Sequence, residues 1–214
     1  MTASTNTVAN TSAHTEQQDE QPSLMRQLAQ ATGMLVILTV LTGVVYPLVV
    51  TGIGQALFKD KAEGSLIVKD GKVVGSKLLG QSFEDPKHFW SRLSGTSPAA
   101  YNAGASSASN LGPTNEAETK AAQARIDALH EADPGNHAPI PVDLVTGSGS
   151  GLDPHISPAA AEYQVRRVAR ERGMSEASVR ELVTAHTDGR DLGILGEPVV
   201  NVLELNLALD SHSK

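Results

Sequence analysis

From Met1 to Gln21 the chain is polar, rich in Thr, Ser, Asn and Gln, with no apolar period. Such a composition buries too little apolar surface to order itself, so a disordered tail over residues 1–33 is expected. The pattern then inverts. Met34 to Phe58, "MLVILTVLTGVVYPLVVTGIGQALF", has no charged side chain, and the uncharged run extends back to Gln27. About 25 residues at 1.5 Å each make a helix of roughly 37 Å, enough to cross a hydrocarbon core of about 30 Å. Pro47 would cost about 3 kcal/mol inside a soluble helix but is tolerated in a membrane span. The pattern predicts a transmembrane helix over 34–58. The competing reading is a cleaved signal peptide, with "GQA" before Leu57 as its cleavage site, although a signal has an apolar core of only about 7–15 residues.

After the span the period shortens. "GSLIVKDGKVVGSKLLGQSF" has two short apolar-rich runs around Asp70-Gly71, the dipeptide of a type I′ hairpin turn. Glu84 to Asn115 is a long stretch dense in Gly, Ser, Pro and Asn, and a loop of that length more often serves an interface than nothing. A helix follows, with Asn115 and Glu118 at capping-box spacing and Ala122, Ile126 and Leu129 on one face. "PVDLVT" reads as a short strand. Ser157-Pro158 opens a helix with Val165, Val168 and Ala169 inward, stopped at Gly173. Ser175 caps another that carries Val179, Leu182 and Val183. "VVNVLELNLALD" alternates as a strand would, but Asn201 and Glu204 have capping-box spacing, which favours helix. The fold class expected is α+β: one N-terminal transmembrane helix, then a soluble domain over 59–214 with a β-hairpin, short strands and three to four helices.

Within the span, Thr39, Gly43, Pro47 and Thr51 recur every four residues and form a stripe of mostly small side chains. Small residues let a second membrane helix approach closely, although Gly and Thr are common in spans for other reasons. Arg26 is the only basic residue before the span, whereas Lys59, Lys61, Lys69, Lys72 and Lys77 follow it. Counted directly, the positive-inside rule puts the C-terminal domain in the cytoplasm. Long domains translocate largely regardless of charge, so orientation stays open on charge alone.

The net charge of −7 argues against nucleic acid as a partner, and the lack of cysteine removes disulfides, thiolate metal sites and a Cys nucleophile. "VTGSGSGLDPHISPAAAE" resembles a phosphate loop only in composition. Gly151 is followed by Leu152, Asp153 and Pro154 rather than Lys-Ser or Lys-Thr, and an aspartate at the mouth repels phosphate. Gly147, Gly149 and Gly151 give GxGxG without the third glycine of a dinucleotide fingerprint. A structural turn is the better reading, with Asp153 in an Asx turn and Ser157 as a cap. The seven histidines show no HxxxH pair, and no GxSxG is present, so neither a metal nor a catalytic residue is expected. Asp85, Asp133 and Asp188 read as turn carboxylates. "KHFWSR" could form an aromatic sugar platform, but Phe89 and Trp90 read better as anchors of the long loop in a chain with 3% aromatics.

Taken in order, these blocks resemble a known family. "TGVVYPLVVTGIGQALF", "GSLI", "GSKLLGQSF", "FWSRLSGTSPAAYN", "SNLGPTN", "PVDLVTGSGSGLDPHISPAAAEYQVRRVARERG" and "GEPVVNVLELNLALD" are similar to the C subunit of the bacterial high-affinity potassium-transporting ATPase, the KdpC family. The similarity runs from Gly33 to Asp210. Leu93 stands where the family usually has proline, and Ser107-Ala108 where paired glycines are common.

The resemblance implies an accessory, non-catalytic subunit of a P-type potassium uptake complex. Its partners would be a channel-like A subunit, an ATP-hydrolysing B subunit, a small hydrophobic F subunit and membrane lipid. The chain has no DKTGT motif of its own. The family is described as a catalytic chaperone that raises the ATP affinity of the pump subunit, with no firmly bound cofactor and ATP met through the complex. A glutamine matching Gln164 has been considered for nucleotide contact. The resemblance also implies single-pass insertion in the cell inner membrane, with a cytoplasmic N-terminus and an extracytoplasmic domain against the channel-like subunit. Direct ATP contact would conflict with that orientation. Docking on a partner is expected of the long loop and the glycine-rich segment, through Phe89, Trp90, Tyr101, Asn102, Asn110, Gly149, Gly151 and Asp153. The alternative is a secreted soluble enzyme or binding protein with its signal removed.

Overall fold

The first element satisfies its backbone polar groups within itself, as a lone segment in lipid must. A computed structural model describes residues 23–212. Helix α1 (Leu24–Val40) runs through one wide turn, Leu41–Val45, into α2 (Tyr46–Leu57), and none of the three segments has a buried residue. The run of 34 residues has a mean hydropathy of 2.3 in its most apolar stretch and is long and apolar enough to cross a membrane. At 1.5 Å per residue it is about 51 Å long, more than a hydrocarbon core needs. It starts at Leu24 rather than Met34: the N–H groups of Arg26 and Gln27 bond to the Ser23 carbonyl, and "LMRQLAQA" is a helix-favouring run whatever its hydropathy. The rest of the polar tail expected there, residues 1–22, lies outside the described residues.

The wide turn has a local cause. Pro47 has no N–H to give the Gly43 carbonyl, and its ring crowds that carbonyl. The helix responds with a π-type turn in which Tyr46 N–H reaches back to the Leu41 carbonyl. Thr42 Oγ1 donates to the Leu38 carbonyl at 2.7 Å beside it.

The unit from Phe58 onward has its own core. A short helix α3 (Lys59–Ala62) leads into the expected hairpin, β1 (Leu66–Lys69) paired antiparallel with β2 (Lys72–Ser76). Asp70 and Gly71 both have positive φ (51° and 75°), as a type I′ turn requires, and a bulge lies between Ile67 and Val68. Helix α4 (Glu116–Ala132) is capped by Asn115, whose side chain accepts from Ala117 N–H. Its capping box is not closed, because the Glu118 carboxylate accepts from Ser109 Oγ instead.

"PVDLVT" is not a strand. Val142–Leu144 forms a 3₁₀ turn, closed by bonds from Leu144 and Val145 N–H to Pro141 and Val142. It is held there because Asp143 accepts from both the N–H and the hydroxyl of Ser157. Strand β3 (His155–Ile156) then precedes α5 (Pro158–Arg172). That helix has Ser157 as N-cap, proline in its first turn and Gly173 in the left-handed conformation at its end. Helix α6 (Glu176–Ala185), capped by Ser175, buries Val179 and Val183. Strands β4 (Thr187–Asp188) and β5 (Val199–Asn201) complete a small antiparallel sheet in the order β3-β5-β4. Helix α7 (Val202–His212) closes the chain, and Asn201 Oδ1 accepts from Glu204 N–H at its start. Strand and helix thus share "VVNVLELNLALD".

Helix α5 is the centre of the core. Ala160, Ala161, Val165, Val168 and Ala169 are buried against Phe89, Leu129, Val179, Leu205 and Leu209. The long loop wraps one side of this core and is laced to the glycine-rich segment. Ser148 N–H bonds to the Leu93 carbonyl, Ser107 N–H to Ser150, and the Ser94 hydroxyl to Gly151. Gly151 has φ +66°, and a Cβ there would lie 2.5 Å from the Ser107 carbonyl oxygen and 2.7 Å from the Thr96 methyl. Gly151→Ala is therefore expected to lower the urea-unfolding free energy of the protein by about 2 kcal/mol, a loss that equilibrium denaturation would measure.

Candidate functional site

The side chains that hold the long loop converge on Phe89 and Trp90, in a stretch that has no strand partner. Gln164, on α5, accepts from Trp90 N–H at 2.7 Å and donates back to the Trp90 carbonyl at 3.2 Å. Asn206, on α7, does the same for Phe89: it accepts from its N–H at 2.8 Å and donates to its carbonyl at 3.0 Å. Each carboxamide thus replaces one peptide group of a neighbouring strand. Both amides are fully buried, where an unpaired peptide group would be costly. Trp90 Nε1–H donates to the Asp85 carbonyl, closing the loop on itself.

Two guanidinium groups complete the cluster. Arg167 and Arg125 lie over the Trp90 ring, 4.6 and 4.7 Å from its centroid. Arg167 is buried and donates to the carbonyls of Pro86 and His88 and to Gln164 Oε1. Burial, helped by the charge of Arg125, pushes the Arg167 guanidinium down to about 10, so it is still charged at neutral pH. Arg125 donates to the Ser91 and Leu144 carbonyls. Burial lowers it too.

A second cluster joins the loop to the glycine-rich segment. Arg92 pairs with Asp153 at 3.1 Å and donates to the Gly147 carbonyl. Asp153 also accepts from His155 N–H, the expected Asx turn. Burial alone would raise the Asp153 carboxyl, but hydrogen bonds from the His155 ring and backbone, with the Arg92 charge, outweigh it and hold it below its ordinary value. Tyr101, at φ 57°, donates its hydroxyl to the Arg92 carbonyl. Asn102 caps the 3₁₀ turn Ala103–Ala105.

Within the span, Gly43 lies in the π turn, with the Thr39 methyl 4.0 Å from where its Cβ would be. Residues four apart on an α-helix drift about 40° round the axis, and the wider turn reduces that drift. The π turn therefore helps Thr39, Gly43, Pro47 and Thr51 share a face.

The family model for K+-transporting ATPase, c chain, matches residues 28–211. The chain belongs to the KdpC family. The potassium-transporting ATPase KdpC subunit of Sorangium cellulosum (strain So ce56) is 63% identical over 187 residues, 87% of this chain and 98% of that relative. The KdpC subunit of Methylococcus capsulatus (strain Bath) is 64% identical over 178 residues, 83% of this chain and 94% of its own. That of Dechloromonas aromatica (strain RCB) is 60% identical over 187 residues, 87% and 98%.

Against this KdpC fold, the site residues expected from sequence divide. Phe89 and Trp90 anchor the loop, and both are buried within the domain. Gln164 is 1% exposed, and its amide is occupied by Trp90, Ala160 and Arg167. It holds the loop and presents no free atom to a nucleotide. Gly151 and half-buried Asp153 work inside the loop clasp, while Asn110 and Gly149 are exposed. Asp133 lies in the turn expected but is also buried and bonded to Arg170 at 2.6 Å. Sequence reasoning missed Arg92, Arg125, Arg167 and Asn206. For two of them the signal was a polar residue on an otherwise apolar helix face: Asn206 lies among Leu203, Leu205 and Leu209, and Arg167 among Val165, Val168 and Ala169.

Gln164→Leu, of similar size, strands Trp90 N–H and an Arg167 donor. A loss of roughly 3 kcal/mol in denaturant-unfolding free energy is expected, whereas a nucleotide-contact residue would leave stability unchanged. The depressed carboxyl of Asp153 contributes stability above its ordinary value near pH 4, and that contribution fades as pH falls through its lower folded value. Asp153→Asn should therefore show a shallower fall of Tm than the unaltered protein as pH drops below about 4, as followed by circular dichroism.

Proposed function

We propose that the chain is the accessory, non-catalytic C subunit of an ATP-driven potassium uptake complex. In this reading α1 and α2 cross the cell inner membrane once, with the N-terminus cytoplasmic. The domain from Lys59 onward lies outside the cytoplasm, against the channel-like A subunit. The ATP-hydrolysing B subunit and the small F subunit complete the assembly. The observation that carries the reading is the 63% identity to a named KdpC subunit across 98% of that relative's length. A helix with no buried residue, apolar for most of its length and ending at a separate unit, supports the anchoring role.

The chain raises the ATP affinity of the B subunit without touching nucleotide. Its one suggested nucleotide residue, Gln164, is committed to the Trp90 backbone, and an extracytoplasmic domain would not meet ATP. The influence passes through subunit contacts, and the Thr39-Gly43-Pro47-Thr51 face is the proposed contact within the membrane.

Co-expression with the A, B and F subunits tests the reading. A tagged chain is expected to stay in the membrane through alkaline carbonate and to bring down all three. A complex assembled without it should need more ATP for half-maximal potassium-dependent hydrolysis. Gly43→Leu is expected to lower retention of the other subunits severalfold. External protease should digest the domain in intact spheroplasts. A protein found soluble at full length, or a domain protected in spheroplasts, would count against this assignment.

A further inference from the structure

The segment between β4 and β5 holds three large aliphatic side chains in water. Leu192 is 89% exposed, Ile194 74% and Leu195 58%. This is a built loop. Asp191 and Leu195 exchange both backbone hydrogen bonds at 2.9 Å, and Gly193 N–H bonds to the Arg190 carbonyl. At its base Arg190 Nη2 donates to both carboxylate oxygens of Glu197, at 2.8 and 2.6 Å. Leu192 itself has φ 55°, a left-handed conformation that a γ-branched residue without a local hydrogen bond rarely adopts. The backbone is thus held in an unfavourable region at the residue whose apolar side chain is 89% exposed. Such strain persists where the surroundings impose it, and it gathers at functional contacts.

The apolar surface continues past the loop base. Glu197 also lines a groove of about 430 Å³ with Pro141, Val142, Pro198 and Val199. Val142 is exposed on its rim.

We propose that the Leu192–Leu195 loop is a docking finger that inserts into an apolar cleft, rimmed by basic side chains, on another subunit of the same complex. This rests on the assembly reading above. The charges choose the occupant. Asp188, Asp191 and Glu197 outnumber Arg190 along the segment. Anionic lipid headgroups would repel that collar, and a second copy of this chain would set one acidic collar against another. A partner cleft with Lys or Arg at its edge satisfies both the leucines and the carboxylates. Seating Leu192, Ile194 and Leu195 in such a cleft would take their apolar area out of water, which drives association.

The test uses the complex purified through a tag on this chain. Leu192→Asp combined with Ile194→Asp is expected to cut retention of the other subunits about tenfold, with the Tm of the isolated full-length variant unchanged. In parallel, a photoreactive benzophenone amino acid replacing Leu192 is expected to cross-link to another subunit of the complex. Equal retention by the double variant, or cross-links only to lipid or to a second copy of this chain, would overturn the proposal. If even the unaltered chain retains no subunit, the assembly reading itself fails and takes this inference with it.

Discussion

The domain depends on one buried cation. Arg167 projects from the central helix into a site where, among the described residues, no carboxylate pairs with it directly, and a buried charge left without partners would be strongly destabilising. It is met instead by the carbonyls of Pro86 and His88, the amide oxygen of Gln164 and the face of Trp90. All except Gln164 belong to the long loop. The helix cannot bury its guanidinium unless the loop closes over it, and the loop cannot satisfy those carbonyls without the helix.

The same economy explains how a stretch with almost no regular secondary structure holds a fixed path. Gln164 and Asn206 each donate and accept one hydrogen bond at a single residue of the loop, as a neighbouring strand would. They come from different helices, α5 and α7, so the loop ties together the middle and the end of the chain. Arg125, from α4, adds a third helix through the Ser91 carbonyl. These bonds hold the loop's surface in a fixed place without an extensive sheet.

The span answers to a different solvent. In water its exposed leucines and valines would be a liability; in lipid they are the reason it stays. There Pro47 is the informative residue. Its missing N–H widens the helix at Gly43, and the wider turn aligns a stripe that a plain α-helix would wind away. One covalent feature thus shapes both the backbone and the placement of the Thr39-Gly43-Pro47-Thr51 stripe.

Local patterns determined a good deal by themselves. An uncharged apolar run announces a membrane helix because no soluble face could tolerate it. Asp70-Gly71, Ser157-Pro158, Gly173 and Ser175 mark turns and caps because their chemistry acts within a few residues. The family was legible in the ordered blocks around them. The tertiary structure alone decided the rest. Val142–Leu144 turned from strand to 3₁₀ because Asp143 is held by Ser157, and Glu118 left its capping box for Ser109. Phe89, Trp90 and Gln164 lie in the interior, with Trp90 bonded to Gln164. Partners such as Gln164 and Trp90 stand 74 positions apart, and local periodicity carries no record of a hydrogen bond between groups that only the folded core brings together.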